Sequence, residues 1–452
     1  MHTTTQDSLV RLRGEVACEV IGPHHPRYDE ARRVFVPVDR RPAAIVRPRN
    51  AADIAAVVAH ARESGLELAV RSGGHSFAGH GTSEGGIVLD LARLNALELD
   101  LESRTVRAGT GLTAGQVTAA TVSHGLAVPF GDAAVVGIGG LTLGGGAGYL
   151  VRRDGLTIDS LLEAQLVTAD GRLLTVDAQR HPDLFWAIRG GGGNFGVAVR
   201  FRYSLRPVDS TTGGLMVLPA TAEIVAEFAA IAAEAPDELS TIANILPAPP
   251  LPFLPAEQHG RLVLMAMVLH AGPADDGAQA IAPLRALGPI VDLVRPVAYT
   301  EMFPEVDFPA TLSVSRSTLL DTIDVAVARE LLDRLGSCPG RPAVQLRVLG
   351  GAVARVPADA TAFGHRTRRA IANVAALYAS PEEADDNERW VTDTVESLPG
   401  GDDAVYVNFL ADEGPERVRA AYPGATWERL VAVKRRYDPG NLFHVNQNVP
   451  PA

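Results

Sequence analysis

Arg71-Ser72-Gly73-Gly74-His75-Ser76 is the stretch that decides the fold, because it follows directly on a predicted βαβ unit. That unit begins with the apolar run at 42–48 and closes with a strand over 66–70. Between these strands, a helix begins after Asn50 and ends at Gly65. Ligands commonly bind where a strand leaves a sheet of this kind. The glycine pair therefore predicts a binding loop, although Gly-Gly-His alone is more typical of an ordinary turn.

The composition is that of a globular protein. The chain has 452 residues, of which 46% are hydrophobic and 21% are charged, so it is long enough for two domains with buried cores. A formal net charge of -12 argues against general affinity for nucleic acid, which needs concentrated Lys and Arg. Cys18 and Cys338 predict neither a disulfide framework nor a thiolate metal site, and the carboxylates show no metal-ligand spacing. Without a signal pattern or an apolar stretch of about 18 residues, we expect a cytoplasmic protein with no membrane contact.

Alternating helix and strand patterns fill the first half of the chain. Thr113-Ala114-Gly115-Gln116 has the capping-box pattern that opens a helix, and 162–176 reads as a hairpin turning at Asp170-Gly171. From Pro207 the pattern changes to strand-like runs with helices, which indicates an α+β layer. In this later part we predict strands at 242–246, 262–269, 290–297, 344–349 and 404–410, and helices at 222–235, 325–335 and 427–437.

Glycine clusters occur at two further places. Gly191-Gly192-Gly193-Asn194-Phe195-Gly196 matches G-x-G-x-x-G, but a helix precedes it and a strand follows, the reverse of the dinucleotide-binding order. We therefore reject a nicotinamide site there. The stretch 137–148 has seven glycines in twelve positions. Such glycines can bring backbone N–H groups to a diphosphate without Lys or Arg, or can allow tight packing of a helix on a sheet.

Four separated segments carry a family likeness. They are Arg71 to Ser76, Val136-Gly137-Ile138-Gly139-Gly140-Leu141-Thr142-Leu143-Gly144-Gly145-Gly146, Gly193-Asn194-Phe195-Gly196-Val197, and Tyr437-Asp438-Pro439-Gly440-Asn441-Leu442-Phe443-His444-Val445-Asn446-Gln447-Asn448. These segments span residues 71 to 448, which is nearly all of the chain. Together, and in this order, they resemble the berberine-bridge-enzyme branch of the vanillyl-alcohol-oxidase type of FAD-linked oxidoreductases.

The resemblance implies an α+β fold with a two-part FAD-binding domain of the vanillyl-alcohol-oxidase type, formed by residues 1–206 and 412–452. Residues 207–411 would form an inserted substrate domain of antiparallel sheet and helices. The flavin diphosphate would lie among the strand-end loops, and the isoalloxazine ring would lie at the domain interface. The residues that the resemblance assigns to FAD are Arg71, Ser72, Gly73, Gly74, His75, Ser76, Val136, Gly137, Gly140, Gly144, Gly145, Val199, Asn446, Gln447 and Asn448.

His75 is the residue that, by this resemblance, forms a covalent bond to the 8α carbon of the flavin. The attachment needs a neutral imidazole nitrogen as nucleophile. Many relatives carry a second link through a cysteine, and the corresponding position here is Ala133. The sequence therefore predicts FAD linked only through His75, or a noncovalent flavin if His75 has lost this role.

Tyr406 and Asn408 are the candidate catalytic residues. On the predicted strand they share one face, and they resemble the Tyr-x-Asn element in which the tyrosine acts as base. That role requires the pKa of Tyr406 to lie below its ordinary value of about 10. A half-buried strand tyrosine with a structural hydrogen bond is the alternative interpretation.

The resemblance also implies the reaction. An oxidase of this family takes a hydride from a small-molecule alcohol, sugar or amine, such as a secondary metabolite, and passes the electrons to dioxygen to give hydrogen peroxide. A flavin-dependent dehydrogenase or an oxidative cyclase is the first alternative. A flavin-binding protein without turnover is the second.

Overall fold

The computed structural model describes residues 5–303, 312–401 and 403–452. Its strands, in chain order, are β1 (Glu19–Ile21), β2 (Ala44–Arg47), β3 (Leu68–Arg71), β4 (Ile87–Asp90), β5 (Leu97–Asp100), β6 (Thr105–Gly109), β7 (Leu126–Ala127), β8 (Leu161–Val167), β9 (Leu173–Val176), β10 (Val197–Ser204), β11 (Arg206–Pro207), β12 (Thr212–Pro219), β13 (Leu239–Pro247), β14 (Leu262–His270), β15 (Val291–Asp292), β16 (Arg295–Pro296), β17 (Leu312–Leu320), β18 (Arg341–Val348) and β19 (Ala370–Tyr378).

Its α-helices, in chain order, are α1 (Thr5–Glu15), α2 (Tyr28–Ala31), α3 (Ala51–Ser64), α4 (Ala114–Val122), α5 (Ile138–Gly144), α6 (Val151–Asp154), α7 (Pro182–Ala187), α8 (Ala222–Glu234), α9 (Ala274–Arg285), α10 (Val325–Gly336), α11 (Gly351–Arg355), α12 (Ala384–Ser397), α13 (Pro415–Ala420) and α14 (Thr426–Tyr437). Within the described ranges, no helix combines the length and the hydropathy needed to cross a bilayer. The same ranges hold no cluster of three or more His, Cys, Asp or Glu side chains able to bind a metal ion.

The first sheet has the strand order β1-β2-β4-β3 and confirms the predicted βαβ unit. Both β2 and β3 run parallel to β4, with α3 as the crossover. The Asn50 side chain accepts a hydrogen bond from the Asp53 N–H at the start of α3, and Gly65 ends that helix at a φ of 67°. Because β3 ends at Arg71, the glycine pair that follows lies at the carboxyl edge of this sheet.

The second sheet, β5-β6-β10-β8-β9, is antiparallel and lies beside the first. The β8–β9 hairpin is confirmed, since the Gly171 N–H donates to the Thr168 carbonyl at 2.9 Å and Gly171 has a φ of 82°. The capping box of α4 is confirmed as well, since Thr113 and Gln116 each bond the other's backbone N–H. These elements share one apolar core with α7 and α14.

The third sheet is antiparallel, with the order β15-β12-β14-β13-β18-β19-β17 and β16 paired to β12. One face packs on α8, α10 and α12 around a second apolar core. Along β18, Val344 and Leu346 point to that core, so Gln345 and Arg347 lie on the opposite face. This open face is turned toward the first two sheets, and the architecture agrees with the predicted α+β class.

Two of the predicted strands are corrected. The run 404–410 is wrong as a strand, because a short 3-10 helix occupies Val407–Phe409 and the Phe409 N–H bonds locally to the Tyr406 carbonyl at 2.9 Å. The run 290–297 is not one strand but the two short strands β15 and β16. The sequence patterns also failed to predict β12, β17 and β19, which lie in the third sheet.

The C-terminal segment returns to the first half of the chain. Lys434 and Asp438 are both fully buried and form an ion pair at 2.8 Å. Lys434 Nζ also donates to the carbonyls of Asn194 and Phe443 at 2.8 Å each. Asp438 in turn accepts from the N–H groups of Leu442 and Phe443. The division into 1–206 with 412–452 and 207–411 stays a prediction, because Val405, Val407 and Leu410 pack in the first apolar core.

We expect Lys434→Met to lower the free energy of unfolding by about 3–5 kcal/mol, because Asp438 would remain buried without its cation. Arg436→Ala is a matched control on the same helix, since the Arg436–Asp183 pair is exposed and should be worth less than about 1 kcal/mol. Thermal and denaturant unfolding of both variants would measure the difference. Equal losses in the two variants would contradict a special role for the buried pair.

Candidate active site

A cavity of about 500 Å³ lies where the glycine-rich loops and the C-terminal tail meet the open face of the third sheet. It draws its walls from segments that are far apart in sequence, as the four-segment pattern predicts. Some of the predicted site residues lie outside this cavity. The predicted residues that line the cavity are Arg71, Ser72, Gly73, Gly74, His75, Ser76, Val136, Gly137, Gly140, Tyr406, Asn408, Asn446 and Gln447.

The floor of the cavity is a direct contact between two glycines. A Cβ on Gly73 would overlap the backbone nitrogen of Gly137, and a Cβ on Gly137 would overlap that of Gly73. Ser72 holds the same junction, because its hydroxyl donates to the Thr110 carbonyl at 2.6 Å and accepts from the Gly139 N–H at 3.2 Å. Sequence reasoning did not predict that part of the glycine cluster at 137–148 forms a helix, α5.

Four predicted cofactor residues do not line the cavity: Gly144, Gly145, Val199 and Asn448. A Cβ on Gly144 would overlap Asn408 Oδ1, and one on Gly145, at a φ of 141°, would lie 2.9 Å from the Tyr406 ring. These two glycines therefore make room for the catalytic candidates. The Val199 carbonyl accepts the Thr110 N–H at 3.1 Å. Gly139 and Gly146, which the sequence did not single out, line the cavity instead.

Arg71 lines the cavity, but its charge is already compensated. Its guanidinium pairs with the buried Asp90 at 3.0 Å and donates to the carbonyls of Ala31 and Arg33. The backbone provides the open groups instead, since a Cβ at Gly140 or Gly193 would meet no atom within 4 Å. Such bare backbone suits a diphosphate that is bound through N–H groups.

The C-terminal tail leaves buried polar atoms without partners. Among the described residues, the side-chain oxygens of Asn446 and Asn448 are buried and accept no hydrogen bond. Gln447 is held by its own contacts, since its Nε2 donates to the carbonyls of Leu410 and Ala411 at 2.9 and 3.1 Å. An unpaired buried acceptor is costly, and Asn446 lines the cavity, so its oxygen fits a bound group that carries N–H or O–H donors.

His75 lies on the cavity wall beside Phe35, with ring centroids 5.0 Å apart and an interplanar angle of 31°. Burial lowers the pKa of His75, and a hydrogen bond to the Val135 carbonyl opposes that shift. The imidazole is therefore neutral near pH 7. Ala133, the position of the family's second link, lines the same cavity.

His80 is a second cavity histidine, which the sequence gave no reason to select. Burial is the main cause that lowers the pKa of His80 to about 4, and the Arg40 charge adds to that effect. His80 is therefore neutral at pH 7. Its spacing of five residues from His75 carries no motif, so only the loop geometry could have revealed it.

Tyr406 and Asn408 converge, although not on a strand. Tyr406 Oη accepts hydrogen bonds from the Gly146 N–H at 2.6 Å and from Asn408 Nδ2 at 3.1 Å. Asn408 Nδ2 also donates to the Leu141 carbonyl at 3.0 Å. Burial raises the pKa of Tyr406 to about 12, against the lowering effect of both hydrogen bonds and of Arg347. The expectation of a pKa below the ordinary value is therefore wrong, because desolvation outweighs the donors.

The third sheet contributes a polar wall that the sequence did not predict. Arg347 pairs with Asp132 through both guanidinium nitrogens, at 2.8 and 3.0 Å. Its Nε donates to Gln345 Oε1 at 2.9 Å, and its guanidinium carbon lies 4.9 Å from the centre of the Phe409 ring. Asn373 on β19 completes this wall. The available signal was the polar residues at alternate positions of β18. That signal does not show which side of the sheet, the core or the cavity, these residues face.

Comparisons with known proteins identify the family of the chain. The chain matches the family models described as "FAD binding domain" over residues 42–177 and "Berberine and berberine like" over residues 405–450. It is 30% identical to an FAD-linked oxidoreductase of Dictyostelium discoideum, over 93% of this chain and 91% of that protein. It is also 30% identical to (R)-6-hydroxynicotine oxidase of Paenarthrobacter nicotinovorans, over 96% of each chain.

Solved structures show the same fold. The crystal structure of 6-hydroxy-D-nicotine oxidase from Arthrobacter nicotinovorans is similar with a TM-score of 0.85 and 26% identity, over 97% of this chain and 98% of that one. A berberine-bridge-enzyme-like protein of Physcomitrella patens has a TM-score of 0.87 at 22% identity, over 99% of both chains, which bears on the fold alone. The predicted family is confirmed, and the chain belongs to the FAD-linked oxidoreductases of the berberine bridge enzyme type.

Proposed function

We propose that this FAD-linked oxidoreductase is an oxidase that acts on a small-molecule alcohol, sugar or amine and carries its flavin covalently through His75 alone. The observation that supports it best is that His75 and the Tyr406–Asn408 pair face one cavity from opposite parts of the chain. Dioxygen would be the electron acceptor and hydrogen peroxide the product. The enzyme named (R)-6-hydroxynicotine oxidase is a relative that favours an oxidase over a dehydrogenase.

The residues around the cavity fit FAD by their chemistry. Bare backbone at Gly140 and Gly193 would hold the diphosphate, and the unpaired oxygen of Asn446 would accept a hydrogen bond from the bound group. His75 would anchor it, since its imidazole is neutral and lines the cavity. When bound, FAD supplies the acceptor for the substrate hydride.

Tyr406 would act as the base that takes the substrate proton. Its oxygen accepts two hydrogen bonds from the protein, so its own O–H is left to point at the cavity. The donors Gly146 N–H and Asn408 Nδ2 are already in place for the phenolate that forms when Tyr406 loses this proton. A substrate hydroxyl that hydrogen-bonds to this phenolate would be oriented by it, and would give its proton to the Tyr406 oxygen as the adjacent carbon loses its hydride.

We expect His75→Ala to release the flavin when the yellow protein is denatured with acid, because the anchor is gone. Absorbance of the supernatant and the pellet near 450 nm measures the distribution. His80→Ala is the matched control, since His80 lines the same cavity and should leave the colour in the pellet. Colour that stays in the pellet of the His75 variant would mean that another residue is the anchor.

We expect Tyr406→Phe to slow substrate-dependent bleaching of the flavin by about 10²–10⁴-fold, the usual contribution of a positioned acid or base. With a pKa of about 12, Tyr406 is ionised in only about one molecule in 10⁵ at pH 7. The wild-type rate should therefore rise about tenfold per pH unit between pH 7 and pH 9, and the Phe variant should lose this slope. Tyr378→Phe, at a partly exposed tyrosine of β19, is the control. A wild-type rate independent of pH would exclude Tyr406 as the base.

The oxidase assignment has its own test. Protein reduced with dithionite under argon should regain its flavin absorbance within seconds of mixing with air-saturated buffer, and hydrogen peroxide should form in equal amount. Stopped-flow absorbance and a peroxidase-coupled assay measure the two quantities. A flavin that stays bleached for minutes in air would favour the dehydrogenase or cyclase alternative.

A further inference from the structure

Four polar side chains form a row across four neighbouring strands of the third sheet. The strand register places Ser317 opposite Asn373, Asn373 opposite Gln345, and Gln345 opposite Asn244. Side chains directly opposite one another in an antiparallel sheet share a face and lie about 5 Å apart. The row is therefore a continuous polar strip, and we call it the amide row.

The amide row faces the cavity. Val344, Leu346 and Val374, the sequence neighbours of its members, belong to the apolar core on the helix side of the sheet. Alternation then directs Gln345 and Asn373 to the other face, and both line the cavity together with Tyr406. Tyr406 and two members of the amide row therefore face the same cavity.

The hydrogen bonds of the amide row are only partly satisfied within the protein. Gln345 donates to Asn244 Oδ1 at 3.1 Å and accepts from Arg347 Nε at 2.9 Å, so its position is fixed. Among the described residues, Asn373 Oδ1 and Ser317 Oγ are buried and have no partner. A buried acceptor without a donor is costly, and Asn373 Oδ1 is placed to accept from a ligand hydroxyl.

The charges of this wall are balanced before any substrate binds. Asp132 is the one carboxylate that lines the cavity in the described part of the chain, and Arg347 holds both of its oxygens. The Ala147 carbonyl takes a further N–H of Arg347 at 3.0 Å, and Gln345 takes its Nε–H. Of the five guanidinium N–H groups, one is left for an acceptor on a ligand.

A protonated amine is a poor match for such a wall. Amines of this kind carry a positive charge at pH 7 and need a free carboxylate when they leave water. Here Arg347 already holds the single carboxylate, so no free carboxylate faces the cation. A hydroxyl group meets no such penalty, because it can donate to Asn373 and accept from Arg347.

The next row of the sheet leaves space beside the amide row. Ser315, Ala375 and Ala343 lie opposite one another there, and all three are small and only partly buried. Side chains of this size leave a shallow trough along the sheet face, in which a ligand larger than one ring could extend toward solvent.

We propose that the amide row selects a neutral, hydroxyl-bearing substrate, an alcohol or a sugar, and disfavours a protonated amine. The proposal rests on the proposed function and narrows its three substrate classes. Gln345 and Asn373 are its specificity-determining residues, and Arg347 contributes the remaining donor.

The test uses matched probes on the flavin-loaded enzyme: benzyl alcohol against benzylamine, and glucose against glucosamine, at pH 7 without oxygen. Each alcohol should bleach the flavin at least roughly tenfold faster than its amine, the discrimination of one buried hydrogen bond to an unpaired group. Asn373→Asp adds a free carboxylate of the same shape and should shift this ratio toward the amine by roughly tenfold or more. Gln345→Glu carries the same charge change if the first variant does not fold. Gln279→Ala, at an exposed residue of α9, should leave the ratio unchanged.

Three outcomes would overturn the proposal: an amine that bleaches the flavin as fast as its alcohol, a panel in which no alcohol changes the flavin spectrum, or a ratio that both charge variants leave unaltered. The oxidase assignment is judged separately, since reoxidation by air is measured on protein reduced with dithionite and needs no substrate. Failure of the one result is therefore distinguishable from failure of the other.

Discussion

The contact between the backbones of Gly73 and Gly137 is the constraint on which the rest of the site depends. Neither position has room for a Cβ, so the loop after β3 and the start of α5 touch with no side chain between them. This contact brings the carboxyl edge of a parallel sheet against the second glycine cluster, and it leaves His75 on the wall of the cavity that results. A side chain at either glycine would separate the two loops and open the floor on which the cofactor is expected to lie.

A second constraint holds the C-terminal tail at the same place. Burying Lys434 and Asp438 together is unfavourable unless every donor and acceptor is paired. Here three acceptors surround Lys434 Nζ, and two backbone N–H groups complete Asp438. That arrangement fixes the course of the chain after α14, which reverses there and places Asn446 and Gln447 at the cavity. The Asp-Pro-Gly-Asn stretch thus has a structural role: it positions the tail residues that line the expected cofactor site.

Local patterns predicted what local interactions determine. The cap at Asn50, the capping box at Thr113 and the turn at Gly171 depend on neighbours within a few residues, and all three agree with the structure. The prediction at 404–410 was wrong because apolar alternation there coincides with a turn whose hydrogen bonds close on themselves. Tyr406 and Asn408 meet through this turn.

The amide row could not be predicted from a local sequence pattern, because it depends on how four strands pair. Its members come from four strands, and nothing near Asn373 in sequence indicates that Gln345 will lie opposite. β19 itself was missed, since its run of alanines has little of the β-branched character that marks a strand. The register between strands that are distant in sequence depends on tertiary structure and cannot be predicted from a local pattern. The glycines of the two loops, in contrast, can be recognised because they are clustered in the sequence.

Charge is neutralised locally at both ends of the cavity, and this limits how the protein can recognise what it binds. Asp90 compensates Arg71 near the glycine loops, and Asp132 compensates Arg347 near Tyr406. Neither arginine offers a free charge, so recognition must proceed through directed hydrogen bonds from backbone and amide groups. Such bonds gain strength in a cavity shielded from water, where desolvation also raises the pKa of Tyr406 to about 12. The same dry surroundings that make an unpaired Asn373 oxygen costly therefore also make Tyr406 reluctant to ionise, so one property of the cavity governs both how a substrate hydroxyl is bound and how its proton is taken.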